Sequence, residues 1–309
     1  MELDRTLLHW GAFGGVFSSA AIEVLRRTER CLAEYVGVYA VERDRVLGQV
    51  VTLRLPYRFD DGEETISGIS AVTTRAERGR TGVARTLLEE VHRRELEAGL
   101  RYAALWTNRS WGAHRLYERF GYRDVYAPPW AVHGPGPAPV RPAGGLLMRP
   151  GRRSDLQEID RLHDRMADGR LGYVHRPRAF SRGEMRMGML DPSKNLIVAR
   201  RHGTLVGYAH LDRNPNRAIC GELIATSTAA KRTLVREVVR RSTGVPYSFQ
   251  HTLVTDDPQM FRGPQFARCQ GGWYGMMGAE LGRRWTGRQA VRQFGTDDRR
   301  FLCLIRDRF

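Results

Sequence analysis

Two short segments carry the residues best suited to chemistry. In the first, a β-rich stretch with Ile66, Ile69 and Val72 runs into a turn reading RAERGRTGVA, from Arg75 to Ala84. A long helix follows. Glycine in a strand-to-helix turn lets the backbone come close to a ligand. The first N–H groups of a helix lack internal partners, and the helix dipole adds partial positive charge there. Such a terminus suits phosphate, and Arg78, Arg80 and Arg85 would add full charge around it, so pyrophosphate is the natural guest. An ordinary turn broken by glycine is the plain alternative. No GKS or GKT follows, so this is not a Walker loop, and no GxGxxG occurs. In the second segment, Ala103–Thr107 reads as a strand and is followed by Ser110, Ala113, Tyr117, Phe120, Gly121 and Tyr122. A helix over Trp111–Phe120 would set Ser110, Ala113 and Tyr117 on one face at i, i+3 and i+7. Small residues there admit a ligand, and Tyr117 projects a phenol, although a core aromatic is the other reading of Tyr117.

The pattern around these segments is mixed α and β. Ser18–Glu34 has helical apolar spacing, and Gly82–Ala98 forms an amphipathic helix with Val83, Leu87, Leu88, Val91 and Leu96 on one stripe. Tyr35–Val41 and Val46–Leu55 alternate and form a hairpin about Arg43-Asp44-Arg45. Asp60–Glu64 reads as a polar loop, Thr65–Thr74 and Arg101–Thr107 as strands, and Tyr122–Tyr126 as a last strand. Ala127–Pro142 holds six prolines and reads as a linker. The order then restarts. Leu146–Arg149 is a strand, and Ser154 with Gln157 forms a capping box for a helix stopped by Gly169. Asn195–Arg200 and Thr204–Leu211 form a hairpin, Ala218–Thr226 is a strand, and Ala229–Arg241 is a helix. Gly271–Trp285 resists assignment.

Composition bounds the class. With 309 residues, 41% hydrophobic and 27% charged, the chain can bury a core, and its length suggests two domains. No apolar run is long enough to span a membrane. The acidic start, Met1-Glu2-Leu3-Asp4-Arg5, is unlike a secretion signal, so a cytoplasmic protein is expected. Four scattered cysteines without a CxxC pair give no reason to expect a metal site. The net charge of +16 is uneven. Residues 1–150 carry 21 basic against 18 acidic side chains, and residues 151–309 carry 29 against 16. A basic half can mark an anionic partner such as nucleic acid. Yet 48 of the 50 basic residues are Arg, a skew that biased codon composition also produces.

On these motifs, Val46–Tyr126 resembles the acyl-CoA-binding core of the GNAT superfamily of N-acetyltransferases. The family's loop runs Arg or Gln, two residues, Gly, one residue, then Gly or Ala. Gly82 and Ala84 match its last positions, and Gly79 stands where Arg or Gln is usual, with Arg80 next to it. The second motif, Asn-x-x-Ala-x-x-x-Tyr-x-x-x-Gly-Phe, is met by Ser110, Ala113, Tyr117, Gly121 and Tyr122, with Ser for Asn. The resemblance implies an α/β fold with a mixed sheet and acetyl-CoA, or another acyl-CoA, as co-substrate without a metal. Backbone groups of Val72 and Thr74 would bond the pantetheine arm, and an N–H near Thr73 would polarise the acyl carbonyl. The turn Gly79-Arg80-Thr81-Gly82-Val83-Ala84, with Arg85, would hold the pyrophosphate. Ser110 and Ala113 would line the same site, and Tyr117 would protonate the leaving thiolate. An unprotonated amine would attack directly. The acidic Asp60–Glu64 loop would sit beside this acceptor and attract a cationic amine. His114 neighbours the Tyr117 face, and His92 is expected on the solvated side of its helix.

The second half resembles the same family as a degenerate copy, because its strand-to-helix turn Ser227-Thr228-Ala229-Ala230 contains no glycine. This implies tandem GNAT folds: a catalytic domain over 1–126, a linker over 127–142 and a degenerate domain over 143–309. Eis-like acetyltransferases and mycothiol synthases are arranged similarly. In the Eis-like enzymes a C-terminal carboxylate serves as base, a role that would fall to Phe309. The function so implied is N-acyl transfer to a small-molecule amine. An aminoacyl transferase using aminoacyl-tRNA as donor is the alternative and would use the basic half. A CoA-sensing scaffold is a third reading. A homo-oligomer is compatible with all three.

Overall fold

The computed structural model describes residues 8, 36–134, 145–172, 176, 179–214, 217–242, 244–245, 247–250, 258–261, 266–269 and 274–304. The helix expected over Ser18–Glu34, the end of the linker from 135 and Phe309 lie outside these residues. The strands are β1 (Val36–Glu42), β2 (Arg45–Phe59), β3 (Gly62–Thr74), β4 (Tyr102–Asn108), β5 (Arg123–Tyr126) and β6 (Trp130–His133). They continue with β7 (Leu147–Pro150), β8 (Leu196–Arg201), β9 (Thr204–Asn214), β10 (Arg217–Ala225), β11 (Tyr247–Gln250), β12 (Phe266–Cys269) and β13 (Tyr274–Glu280). They make two mixed sheets, ordered β1-β2-β3-β4-β13-β5 and β12-β6-β11-β10-β9-β8-β7. Among the described residues no helix is long and apolar enough to cross a membrane.

The sheets exchange strands. β13, from the C-terminal half, runs antiparallel between β4 and β5, with Tyr274 opposite Asn108 and Glu280 opposite Tyr102. β6, inside the segment read as a linker, runs between β11 and β12. The exchange crosses the boundaries drawn at 126 and 143. β13 escaped the sequence reading because a strand buried on both faces shows no alternation. Its sequence, YGMMGAE, sends Met276 into one apolar cluster and Met277 into the cluster behind it. At Gly278 a Cβ would lie 2.3 Å from the Phe294 ring, so glycine there admits the helix Gly287–Phe294 against the sheet.

Each face of the first sheet has its own core. On one face the helices Val83–Glu97 and Gly112–Arg119 bury Leu87, Leu88, Val91 and Tyr117 against Val50, Ile69 and Leu105. On the other face Leu53, Leu55, Tyr57 and Phe59 of β2 pack with Trp285, Phe294 and Phe301. A buried Arg54–Glu95 ion pair ties β2 to the far end of the Val83–Glu97 helix. Paired bonds between Arg58 and Gly172 (3.0 and 2.9 Å), and the bridge Leu171–Phe301, stitch the halves together.

Several local expectations need correction. β3 starts at Gly62, so only Asp60 and Asp61 turn between β2 and β3. Asp60 pairs with Arg300 (2.5 Å), Glu63 with Arg58 (2.8 Å) and Glu64 with Arg101 (3.3 Å), so three of those acids are already partnered. That turn also begins the strand whose opposite end is Thr74, roughly 40 Å away at about 3.3 Å per residue, and therefore cannot flank a site there. Ser154 does not cap the next helix. Asp155 accepts from the Arg152 N–H (2.7 Å) and from both Arg149 and Arg200, and the helix Leu156–Ala167 follows it.

Candidate functional site

The site grows from the end of β3. The parallel ladder between β3 and β4 pairs Ser67 with Ala103, Gly68 with Ala104 and Ile69 with Leu105, and goes no further. Just beyond it the β2–β3 register slips, because three residues of β3 (Ser70 to Val72) precede Thr73 where β2 has two. Ala71 sits in the bulge with φ +47°. A bulge bends its strand. Val72 and Thr74 consequently lie where β3 no longer bonds to β4, and the two strands open into a wedge.

The turn that follows aims a helix end at this wedge. A short 3-10 turn, Ala76–Arg78, leads through Gly79, Arg80 (φ +63°), Thr81 and Gly82 (φ +94°) into the helix Val83–Glu97. Thr81 Oγ1 donates to the Arg78 carbonyl (2.7 Å), and the first helical bond runs from Thr86 N–H to the Gly82 carbonyl (3.0 Å). The amides of Val83, Ala84 and Arg85 precede that bond, no side chain caps them, and no acid stands in the first turn. Gly82 is required by its left-handed φ alone, since a Cβ there would meet nothing within 4 Å. At Gly48 a Cβ would come within 2.8 Å of the Thr73 carbonyl and 2.9 Å of Val83, so that glycine lets the helix seat on the strand ends.

The three arginines differ. Arg78 is ion-paired with Glu42, and Arg85 lies 3.7 Å from Glu89 along its own helix. Arg80 is exposed and makes no ion pair with a described residue. It is the guanidinium best placed for an anion at the helix end.

Tyr117 comes to the same region on the helix Gly112–Arg119, where Ala113 is half-buried above it. Burial, with Tyr274 adding to it, pushes the Tyr117 phenol above its ordinary pKa, which keeps its proton on. The Tyr117 and Tyr122 rings meet edge-on at 6.0 Å. Ser110 is not on this helix. It lies in the preceding turn, where its N–H and hydroxyl both donate to Asn108 Oδ1 at 2.8 Å. His92 is also not on a solvated face. It packs edge-on to Phe120 and shares a 2.9 Å hydrogen bond with the Tyr122 hydroxyl, and burial lowers its pKa to about 4. His114 sits between Asp124 (Nε2, 3.1 Å) and Glu118 (Nδ1, 3.8 Å), so both ring nitrogens face carboxylates.

Sequence reasoning missed the opposite wall. Tyr274 enters from β13 and stacks on Trp106 at 5.8 Å, while Tyr126 meets Trp106 edge-on at 6.4 Å. Nothing local pointed to Tyr274, because its placement depends on the strand exchange. Among the described residues no group of three or more His, Cys, Asp or Glu side chains could hold a metal.

Comparisons with known proteins agree with this geometry. Residues 7–125 match the family model of the acetyltransferase (GNAT) domain. Comparison with curated proteins finds no match. Among solved structures, a conserved protein of Enterococcus faecalis V583, described as a probable N-acyltransferase, superposes with a TM-score of 0.65 at 13% identity. That match covers 90% of this chain and 70% of the other. A GCN5-related N-acetyltransferase from Kribbella flavida gives 0.63 at 16% identity, over 91% of this chain and 68% of that one. Eis1 from Mycobacterium abscessus gives 0.56 at 16%, over 90% and 70%. At such identities the likeness speaks for the fold, and the family match speaks for the part of the chain that holds the wedge, the uncapped helix end and Tyr117. Residues 7–125 are a GNAT acetyltransferase domain.

Proposed function

We propose that the protein is an acyl-CoA-dependent N-acyltransferase, with acetyl-CoA as donor and a small-molecule amine as acceptor. The observation that carries this reading is the uncapped, left-handed entry to the Val83–Glu97 helix, set beside a ladder that ends at Ile69. Three amides, the Arg80 guanidinium and the helix dipole converge on one point with no acid to oppose them, which fits a pyrophosphate. The wedge offers the free edges of Val72 and Thr74 to an extended amide-bearing arm, as an edge strand does.

Bound there, a thioester supplies an activated acyl carbon and a thiolate leaving group. The residues of the chain do the rest. An N–H near Thr73 polarises the acyl oxygen, and Tyr117, still protonated because it is buried, donates to the departing sulfur. The nitrogen loses one proton and the sulfur gains one, so the step needs no further reactant. Direct attack depends on holding the amine in line with the carbonyl, not on a covalent enzyme intermediate. The basic second half supports a second reading, with an aminoacyl-tRNA as donor.

A thermal-shift series with acetyl-CoA, longer acyl-CoAs and bulk tRNA tests this reading. Acetyl-CoA is expected to raise the melting temperature by binding linkage. Tyr117→Phe should keep that shift and lose about 100-fold or more in thiol release. No shift with any CoA, together with a strongly salt-dependent shift with tRNA, would replace the first reading by the second.

A further inference from the structure

On the sheet face opposite the Val83–Glu97 helix, Gln49 of β2 and Thr73 of β3 stand directly across one rung. Alternation along β2 puts Gln49 on the same face as Val51, Leu53 and Leu55, the face whose half-buried margin includes Ala71, Tyr126 and Tyr274. Gln49 is 2% exposed and Thr73 4%. Neither Gln49 Oε1 nor Thr73 Oγ1 has a hydrogen-bond partner. Burying a polar atom unpaired is costly, and nearly all such atoms in folded proteins are paired. Here two occur on one rung. They lie at the first residues past the bulge, where β3 has left β4.

We infer that these two oxygens are acceptors for the N–H groups of the incoming nucleophile, and that the site is built for a primary amine. The inference rests on the acyl-transfer reading above. A neutral primary amine has two N–H bonds and one lone pair. With both N–H groups bonded to Gln49 Oε1 and Thr73 Oγ1, the lone pair is left pointing at the acyl carbon polarised near Thr73. The same contacts bind the free amine and refuse the ammonium ion, whose third N–H would displace the lone pair. A secondary amine satisfies only one oxygen and leaves the other buried and unpaired, which a site of this kind rejects strongly. The stacked Trp106 and Tyr274 rings bound the same face and suit a flat or apolar amine body. Gln49 and Thr73 are thus positioning residues that also set specificity.

The test uses the full chain, acetyl-CoA, and two probe amines, benzylamine and N-methylbenzylamine, read by thiol release. The wild-type protein is expected to favour benzylamine in kcat/KM by at least about tenfold. Thr73→Val and Gln49→Met should bind acetyl-CoA with unchanged affinity in a calorimetric titration and melt no lower than wild type, because each removes an unpaired buried oxygen. Both should lose about tenfold or more in kcat/KM for benzylamine, and the preference over N-methylbenzylamine should collapse. Variants that keep wild-type turnover and preference would overturn the inference and leave the oxygens to ordered water. A wild-type protein that binds acetyl-CoA yet releases no extra thiol with benzylamine would overturn it too. Failure of the wild type to bind acetyl-CoA would instead bring down the acyl-transfer reading itself, a result the titration separates from the other two.

Discussion

The two strand-to-helix turns of the molecule share one frame and differ in chemistry. In the first half the parallel ladder stops at Ile69–Leu105, β3 bulges, and the helix Val83–Glu97 follows. In the second half it stops at Cys220–Phe249, β10 bulges between Cys220 and Glu222, and the helix Thr228–Arg241 follows. The first helix starts at an uncapped left-handed Gly82. The second starts at an extended Ser227 whose Oγ accepts from the Ala230 N–H at 3.2 Å. One helix end is thereby left to an outside anion, and the other is satisfied from within. The faces differ in the same sense. Gln49 and Thr73 are buried with unpaired oxygens in the first half, whereas in the second Glu222 is held by Arg176 (2.7 and 3.1 Å) and by the Tyr208 hydroxyl. Topology is thus common to a binding half and a closed half, and a few side chains decide which is which.

The largest expected effect lies in the closed half. Arg176 and Glu222 side chains are 4% and 0% exposed, and Arg176 also lies over the Phe180 ring at 4.8 Å. Removing one member of a buried pair strands the other charge. Arg176→Met should destabilise the fold by about 3–5 kcal/mol in urea unfolding. The double replacement Arg176→Met/Glu222→Met should recover most of that loss, because neither charge is left to be solvated. If the single replacement is silent, the second half is not filled in the way its geometry says, and the contrast with Gln49 and Thr73 weakens.

A smaller effect, in binding and not in stability, is expected at Gly82. Its φ of +94° is strained for any residue with a Cβ, yet the space around it is open. Gly82→Ala and Gly82→Val should therefore behave alike, since backbone strain and not bulk is at issue. Each should weaken acetyl-CoA binding by about 10- to 100-fold as the turn relaxes and its amides turn away. Calorimetry on both variants checks this. A loss with Val alone would point to crowding and against the amide cradle.

Much of the catalytic half was legible because its signals are local. The β2–β3 hairpin, the Gly82 turn and the stripe Leu87–Leu88–Val91 are patterns of adjacent residues, and the structure places them within a few positions of expectation. The misses share one physical cause, dependence on chain far away. β13 reads as glycine-rich loop until it is set between β4 and β5, so Tyr274 could not be placed beside Tyr117 from its neighbours. His92 seemed to face water because only the fold brings Tyr122 and Phe120 over it. Trp130–His133, flanked by prolines, reads as a connection because its partners lie more than a hundred residues on. Ser110 failed for a shorter-range reason: Asn108 takes both of its donors and delays the helix to Gly112.

The finest probe of the comparison is the cap at Ser227. Its Oγ is the one side-chain acceptor that distinguishes the second helix end from the first, so Ser227→Ala should cost about 1 kcal/mol, and Ser227→Gly only a few tenths. Neither change should alter the thermal shift given by acetyl-CoA, because removing a cap exposes amides without supplying the left-handed turn or the free guanidinium that Gly82 and Arg80 provide. An anion-dependent stabilisation of Ser227→Gly that rivals the native site would mean that open amides suffice. The bulge and wedge, present in both halves, would then be the true determinant of binding. The expectation here is the reverse: the wedge is shared, and the Gly82 turn is what makes one copy of it a site.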